Sequence, residues 1–137
     1  MTIKAQYALI VEHFREGTHG KVDLLGQFDR VFAPQVPAAH HQLVVVALLT
    51  TDTEDDLGKH QLQFRCVRPT GQPLFEQQGE FELKPQGGSW LATARLIFQM
   101  QGMPLPDWGK YLFTITVDGA QLASHPLTVV RQQAPPR

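Results

Sequence analysis

Apolar and polar residues alternate with a period of two along most of the chain, and no long segment keeps the 3.6-residue apolar stripe of an amphipathic helix. Val22, Leu24 and Phe28 alternate with Asp23, Gln27 and Asp29, and Leu62, Phe64 and Cys66 with Gln61, Gln63 and Arg65. Each of these segments has one wet face, as expected of a strand in an antiparallel sheet. The run LVVVALL from Leu43 to Leu49 is apolar on both faces, and so is much of YALIV from Tyr7 to Val11. Such strands belong at the centre of a sheet or beneath extra cover. Further strands are predicted over Leu74–Leu83, where Gly79 marks a candidate bulge, over Trp90–Phe98, Tyr111–Val117 and Leu127–Val130.

Turn residues punctuate the pattern. REGTHGK joins Lys4–Arg15 to Lys21–Phe32 as an antiparallel hairpin, and Asp118-Gly119 supplies another tight turn. APQVPAAHH, TDTEDDLGK, KPQGGS and QMQGMPLP read as loops. The resulting expectation is all-β: an immunoglobulin-like, antiparallel β-sandwich of two sheets and about eight strands. It forms one domain over residues 1–130, with 131–137 as a flexible C-terminal tail.

In GKYLFTITVDG, Tyr111, Phe113, Ile115 and Val117 share one face of a late strand. The spacing resembles the tyrosine corner of immunoglobulin-like domains, in which a Tyr two residues before the disulfide Cys bonds upstream backbone. Phe113 stands at the Cys position, so an aromatic ring takes the inter-sheet space and the domain is not of the antibody type. Over most of its length, in YALIVEHF, GKVDLLGQFDRVFAPQVPA and GKYLFTITVDGAQLASHPLTVV, the chain resembles a bacterial family of small proteins classed as a domain of unknown function. That resemblance implies the sandwich fold and carries over no functional residue.

Composition narrows the partners. The 137 residues carry a net charge of -1, which lacks the basic excess that neutralises phosphates, so neither nucleic acid nor an anionic membrane is an expected partner. No apolar run approaches the length of a membrane span and no signal-like segment opens the chain, so a cytoplasmic location is expected. The lone Cys66 forms no internal disulfide and falls on the apolar phase of its strand, as a small buried hydrophobe.

Six histidines raise the question of a metal, but His40 and His41 are adjacent and point to opposite faces when extended, while His13 and His19 make only two ligands. The acidic loop with Asp52, Glu54, Asp55 and Asp56 fails the calcium-loop pattern at Leu57 and Gln63. No nucleophile signature accompanies Cys66, and His125, Ser124 and Asp118 make no recognisable triad. No metal, cofactor or catalytic residue is therefore assigned.

The most suggestive surface is FQMQGMPLPDW, where Met100, Met103, Leu105 and Trp108 combine flexible thioethers with an indole, and Trp90 stands beside a second glycine-rich loop. The same side chains also suit the end of a sandwich core. The leading expectation is a non-catalytic interaction module that pairs with a protein partner or with a second copy of itself, through a sheet edge or through Met100–Trp108. A second is small-ligand or carbohydrate binding, with Trp90 or Trp108 stacked on a sugar and distinguished by a concave site. A third is a metal-dependent hydrolase built on His40, His41 or the acidic loop.

Overall fold

The computed structural model describes residues 2–132. Nine strands occur in chain order: β1 (Lys4–Glu16), β2 (Val22–Gln27), β3 (Arg30–Ala33), β4 (Ala38–Thr51), β5 (Gly58–Val67), β6 (Pro73–Leu83), β7 (Ala92–Leu105), β8 (Gly109–Val117) and β9 (Ala120–Arg131). Two single turns of 3-10 helix, Thr18–Gly20 and Glu54–Asp56, interrupt them. The strands form a four-stranded sheet in the order β2-β1-β4-β7 and a five-stranded sheet in the order β3-β9-β8-β5-β6. In immunoglobulin terms β1, β4 and β7 take the A, B and E positions, and β5, β6, β8 and β9 the C, C′, F and G positions. All pairings are antiparallel except that of β3 with β9, which is parallel.

Several expected boundaries move. Lys21–Phe32 is two strands, not one: after Gln27 the chain crosses from the four-stranded to the five-stranded sheet, and Val31 pairs with Val129. The expected loop APQVPAAHH is shorter, because β4 begins at Ala38 after a cis Val36-Pro37 bond and takes in both His40 and His41. QMQGMPLP is likewise no loop, since β7 continues to Leu105 against β4. There Gly102, at φ 62, reverses the side-chain phase, so that Met103 and Leu105 point inward although they lie an odd number of residues beyond half-buried Met100. The bulge expected at Gly79 is absent, as Gly79 pairs in register with Leu62. The irregularity lies at Cys66/Val67 instead. Residues 133–137 of the expected tail lie outside the described residues, whereas Arg131 closes β9 and the Gln132 amide donates to the Ala33 carbonyl at 2.8 Å.

The core between the sheets is aromatic where a disulfide would cross. Phe64 of β5 stacks on Phe98 of β7 with centroids 4.0 Å apart and planes at 5°, and lies 5.8 Å from Phe113. Phe113 and Cys66 are neighbours across β5 and β8, and both are buried. The tyrosine corner forms as its spacing predicts. The Tyr111 hydroxyl accepts from the Asp107 amide at 2.8 Å and donates to the Asp107 carbonyl at 3.2 Å. The Asp107 carboxylate holds Arg68 through two bonds of 2.7 and 3.1 Å, fixing the β5–β6 loop to this corner.

A second, smaller core lies on the outer face of the four-stranded sheet. Val11, Val44 and Val46 are wholly buried there, with Tyr7, Leu9, Phe14, Leu24 and Ile97 packed against them. Beyond the Val11–Val44 pair the β1–β2 hairpin parts from β4 and lies over this face. Its turn reaches β7, where the Arg95 guanidinium donates to the Gly20 carbonyl at 3.0 Å. No helix among the described residues is long and apolar enough to cross a membrane.

Phe64→Ala should cost about 3–5 kcal/mol of unfolding free energy, because it opens a cavity at the meeting point of both sheets. Tyr111→Phe should cost about 1–3 kcal/mol by leaving the Asp107 amide without its acceptor. Urea midpoints at constant slope check both, and equal costs for the two variants would contradict this account of the core.

Candidate functional site

A groove of about 470 Å³ opens at one end of the four-stranded sheet, lined by Thr2, Lys4, Gln6, Thr50, Thr51, Asp52, Thr53 and Trp90. Strand pairing brings its walls together. Lys4 pairs with Thr50, and Thr50 in turn with Thr93 of β7, just after the loop that carries Trp90. That loop is held by its own bonds: the Leu91 amide donates to Asp52 at 3.1 Å, and the Gln86 side chain exchanges bonds of 2.7 and 3.2 Å with Thr93. The Gln6 amide donates to the Thr50 hydroxyl at 2.7 Å. Trp90 lines the groove and is half-buried.

Beneath the groove lies Asp56, only 5% exposed. Its carboxylate accepts from the Thr51 hydroxyl at 2.7 Å, from the Thr2 amide at 3.2 Å and from the Thr2 hydroxyl. Thr2 and Thr53 hydroxyls lie 2.9 Å apart, and the Thr53 amide donates to the Thr51 hydroxyl at 3.1 Å. The Thr2 hydroxyl bond is the chief cause that holds the Asp56 carboxyl below its usual value; burial opposes it, and the Thr51 hydroxyl adds to the lowering. Two residues that line the groove, Thr2 and Thr51, are thus anchored on one buried carboxylate, and Thr53 is joined to it through their hydroxyls.

Asp56 is itself anchored through its backbone. His60, 8% exposed and stacked on Phe81, places Nδ1 2.6 Å from the Asp118 carboxylate and Nε2 2.6 Å from the Asp56 carbonyl. Both partners are acceptors, so the arrangement is matched to the doubly protonated ring, which directs one N–H at each of them. Burial works against that charge, but the bonds to Asp118 and to the Asp56 carbonyl, with the two nearby carboxylates, outweigh it and raise the His60 pKa above 6.5. The same bond, with the Gln61 amide at 2.8 Å, lowers the Asp118 pKa. A signal for this residue was present in the sequence: His60 shares the inward phase of Leu62, Phe64 and Cys66, where a polar side chain needs partners. Its partners came from a turn and an acidic loop that strand periodicity does not connect.

The expected contact surface is divided. Met103 and Leu105 are buried in the core, and Met100 and Trp108 pack partly against it. The Arg131 guanidinium lies 5.1 Å above the Trp108 ring. Trp90 and Trp108 belong to different sites. Of the expected titratable groups, His40 packs its ring 5.2 Å from Phe28, His41 is exposed, and His13 lies 3.1 Å from the Gln42 amide. Asp118 turns to His60 rather than to His125, whose Nδ1 lies 2.7 Å from the Pro126 carbonyl. Burial pushes the Cys66 thiol up to about 12.

Two sheets in this order, with a tyrosine corner opening β8, define an immunoglobulin-like β-sandwich. Residues 6–130 match the model of a family of unknown function, DUF6941, and the chain belongs to that family. No curated protein matches it by sequence. Among solved structures, the C-terminal domain of wzt aligns with a TM-score of 0.53 at 12% identity, over 96% of this chain and 75% of that one, a likeness of fold. An immunoglobulin-like protein from Pseudomonas aeruginosa aligns with a TM-score of 0.43 at 15% identity, over 95% and 98% of the two chains. The Pseudomonas fluorescens alkylpurine DNA glycosylase AlkC, bound to DNA containing an abasic site analog, aligns at 0.49 and 12% over 93% of this chain, which spans only 30% of the glycosylase.

Stability should fall on both sides of neutrality. His60 has a raised folded pKa, so its contribution is complete below about 6.5 and is lost as pH climbs through the folded value. Asp56 and Asp118 have lowered folded values, so theirs is complete above 3.8 and is lost as pH falls through the folded values. Urea midpoints from about pH 3 to 8 check this, with His60→Gln expected to remove the fall on the alkaline side of that range; at higher pH the raised Cys66 thiol adds a fall of its own. Cys66 should resist iodoacetamide at pH 8 in the native protein and react at once in urea; fast native labelling would contradict its burial.

Proposed function

We propose that the protein is a non-catalytic recognition module whose groove at Trp90 takes a small, polar, hydroxyl-rich ligand of the carbohydrate class. The observation that carries this reading is the convergence, in one concavity, of a half-buried indole with hydroxyl, amide, ammonium and carboxylate groups from Thr53, Gln6, Lys4 and Asp52. An aromatic face receives the apolar side of a sugar ring while polar groups around it fix the hydroxyls. The support is preorganised, because Asp56 and Asp52 hold the threonines and the Trp90 loop before any ligand arrives, which reduces the ordering cost of binding.

A second reading, contact with a protein partner or another copy of the chain, is favoured by β7. This strand has 14 residues, is bonded along one side to β4, and has no sheet neighbour on the other among the described residues. Its free edge offers unpaired backbone groups beside half-exposed Ile97 and Met100. The β6 edge, by contrast, carries Glu76, Glu80 and Glu82. The β7 edge supports a protein contact better than the expected Met100–Trp108 surface, since Met103 and Leu105 are spent on the core.

Titrating soluble oligosaccharides to millimolar concentration while following tryptophan fluorescence tests the first reading. At least one should bind, and Trp90→Ala should weaken it tenfold or more with the urea midpoint little changed. No binding across neutral, acidic and amino sugars would overturn it. Concentration-dependent sedimentation that Ile97→Lys abolishes would support the second reading in its place.

A further inference from the structure

We propose that protonation of His60 sets the shape of the Trp90 groove, making the site responsive to pH near and above neutrality. As a statement about binding it rests on the groove being a ligand site; as a statement about shape it stands on the chain of contacts alone. The imidazolium spans three elements. It belongs to β5, its Nδ1–H donates to Asp118 in the β8–β9 turn, and its Nε2–H donates to the carbonyl of Asp56 in the Glu54–Asp56 turn. From Asp56 the connection runs through a single carboxylate to Thr2 and Thr51, and through their hydroxyls to Thr53. All three threonines line the groove.

Loss of one proton cannot be absorbed in place. A neutral imidazole has a single N–H, so one of its nitrogens turns a lone pair toward an oxygen 2.6 Å away, either the Asp118 carboxylate or the Asp56 carbonyl. Inside the protein that repulsion is poorly screened, and the buried acceptor also loses its donor. Asp118 keeps the proton better, because its carboxylate is the stronger acceptor and is tied to the Gln61 amide as well. The Asp56 carbonyl is therefore the contact that breaks. Glu54–Asp56 is one turn of 3-10 helix, closed by the amides of Asp56 and Leu57 donating to Thr53 and Glu54 at 3.1 Å, and the Asp56 carboxylate ties it to Thr2 and Thr51, so a shift of the carbonyl is passed to those threonines. Its shift carries the Asp56 carboxylate and, with it, the groove floor.

The groups facing His60 leave its titration as the one that matters. From the β8–β9 turn there is Asp118. From the Glu54–Asp56 turn there is Asp56, with exposed Glu54 and Asp55 beside it. From β6 there is the uncharged ring of Phe81, flanked in sequence by exposed Glu80 and Glu82, and on β5 itself exposed Lys59. None of the other histidines lines the groove.

The test uses Trp108→Phe, which leaves Trp90 as the single tryptophan, and follows acrylamide quenching of its fluorescence from pH 5 to 9. Quenching should rise by roughly half or more through one single-proton transition with a midpoint above 6.5. Adding His60→Gln should leave it flat, and adding Asp118→Asn should move the midpoint down. A flat parent profile, an unchanged transition in the His60→Gln variant, or a midpoint insensitive to Asp118→Asn would each overturn the proposal. If His60→Gln fails to fold, the Asp118→Asn shift decides. Oligosaccharide titrations at pH 6 and pH 8.5 separate the two ideas. A quenching transition without any bound sugar removes the ligand reading and leaves the gate, whereas equal sugar affinity at both pH values with flat quenching removes the gate and leaves the ligand.

Discussion

Both faces of β4 have to be buried, and the rest of the molecule is arranged around that requirement. Leu43, Val45, Ala47 and Leu49 face the partner sheet, while Val44 and Val46 face away from it, and all six are sealed from water. Each fully buried aliphatic side chain is worth about 1.5–3 kcal/mol relative to exposure, so the outer valines reward a structure that can roof them. A plain sandwich covers only the inner face. The β1–β2 hairpin supplies the missing roof by parting from β4 after Val11 and reaching β7, with Phe14 and Leu24 as its apolar underside.

Across the sandwich the same economy of space replaces a disulfide with rings. Phe64, Phe98, Phe113 and Phe75 bridge the sheets by stacked and tilted contacts, and Cys66 beside them is left as a small apolar filler. Rings resist compression but form no covalent cross-link, so the loops at each end need polar fasteners of their own. At one end Arg68, Asp107 and Tyr111 form one. At the other, Asp118, His60, Asp56 and the threonines form another. The two fasteners differ in consequence: the first relies on a guanidinium that stays charged throughout the physiological range, and the second on an imidazolium whose charge changes within reach of it.

A buried charge costs several kcal/mol unless its partners are complete, which is why the second fastener is both tightly bonded and sensitive. It also explains how an open groove can be well ordered. The threonines on its floor are not free to follow solvent, because the Thr2 and Thr51 hydroxyls are committed to Asp56, the Thr53 hydroxyl to Thr2 and the Thr50 hydroxyl to Gln6. The groups left facing the groove belong to Lys4, Gln6, Asp52, Thr53 and Trp90.

Period-two alternation determined the all-β class, the place of Tyr111 at the start of a late strand, the inward phase of Cys66 and the central standing of Leu43–Leu49. These are local consequences of side chains pointing alternately to two sides of an extended backbone, and they hold whichever strands become neighbours. Strand length and company were settled only in three dimensions. Ala38–His40, which follows Pro34 and Pro37, and Met103–Leu105, which follows Gly102 and holds Pro104, each read as loops, yet they pair with each other across β4 and β7, and that mutual satisfaction of backbone groups overrides the local signal. The split between β2 and β3 likewise follows from β9 offering a parallel edge. The groove and the partners of His60 were not legible for a related reason, although the inward phase of His60 itself was. Thr2, Thr51, Asp56, His60, Trp90 and Asp118 are scattered over nearly the whole chain, and what joins them is the closure of the two sheets, which brings the ends of strands together regardless of their distance in sequence.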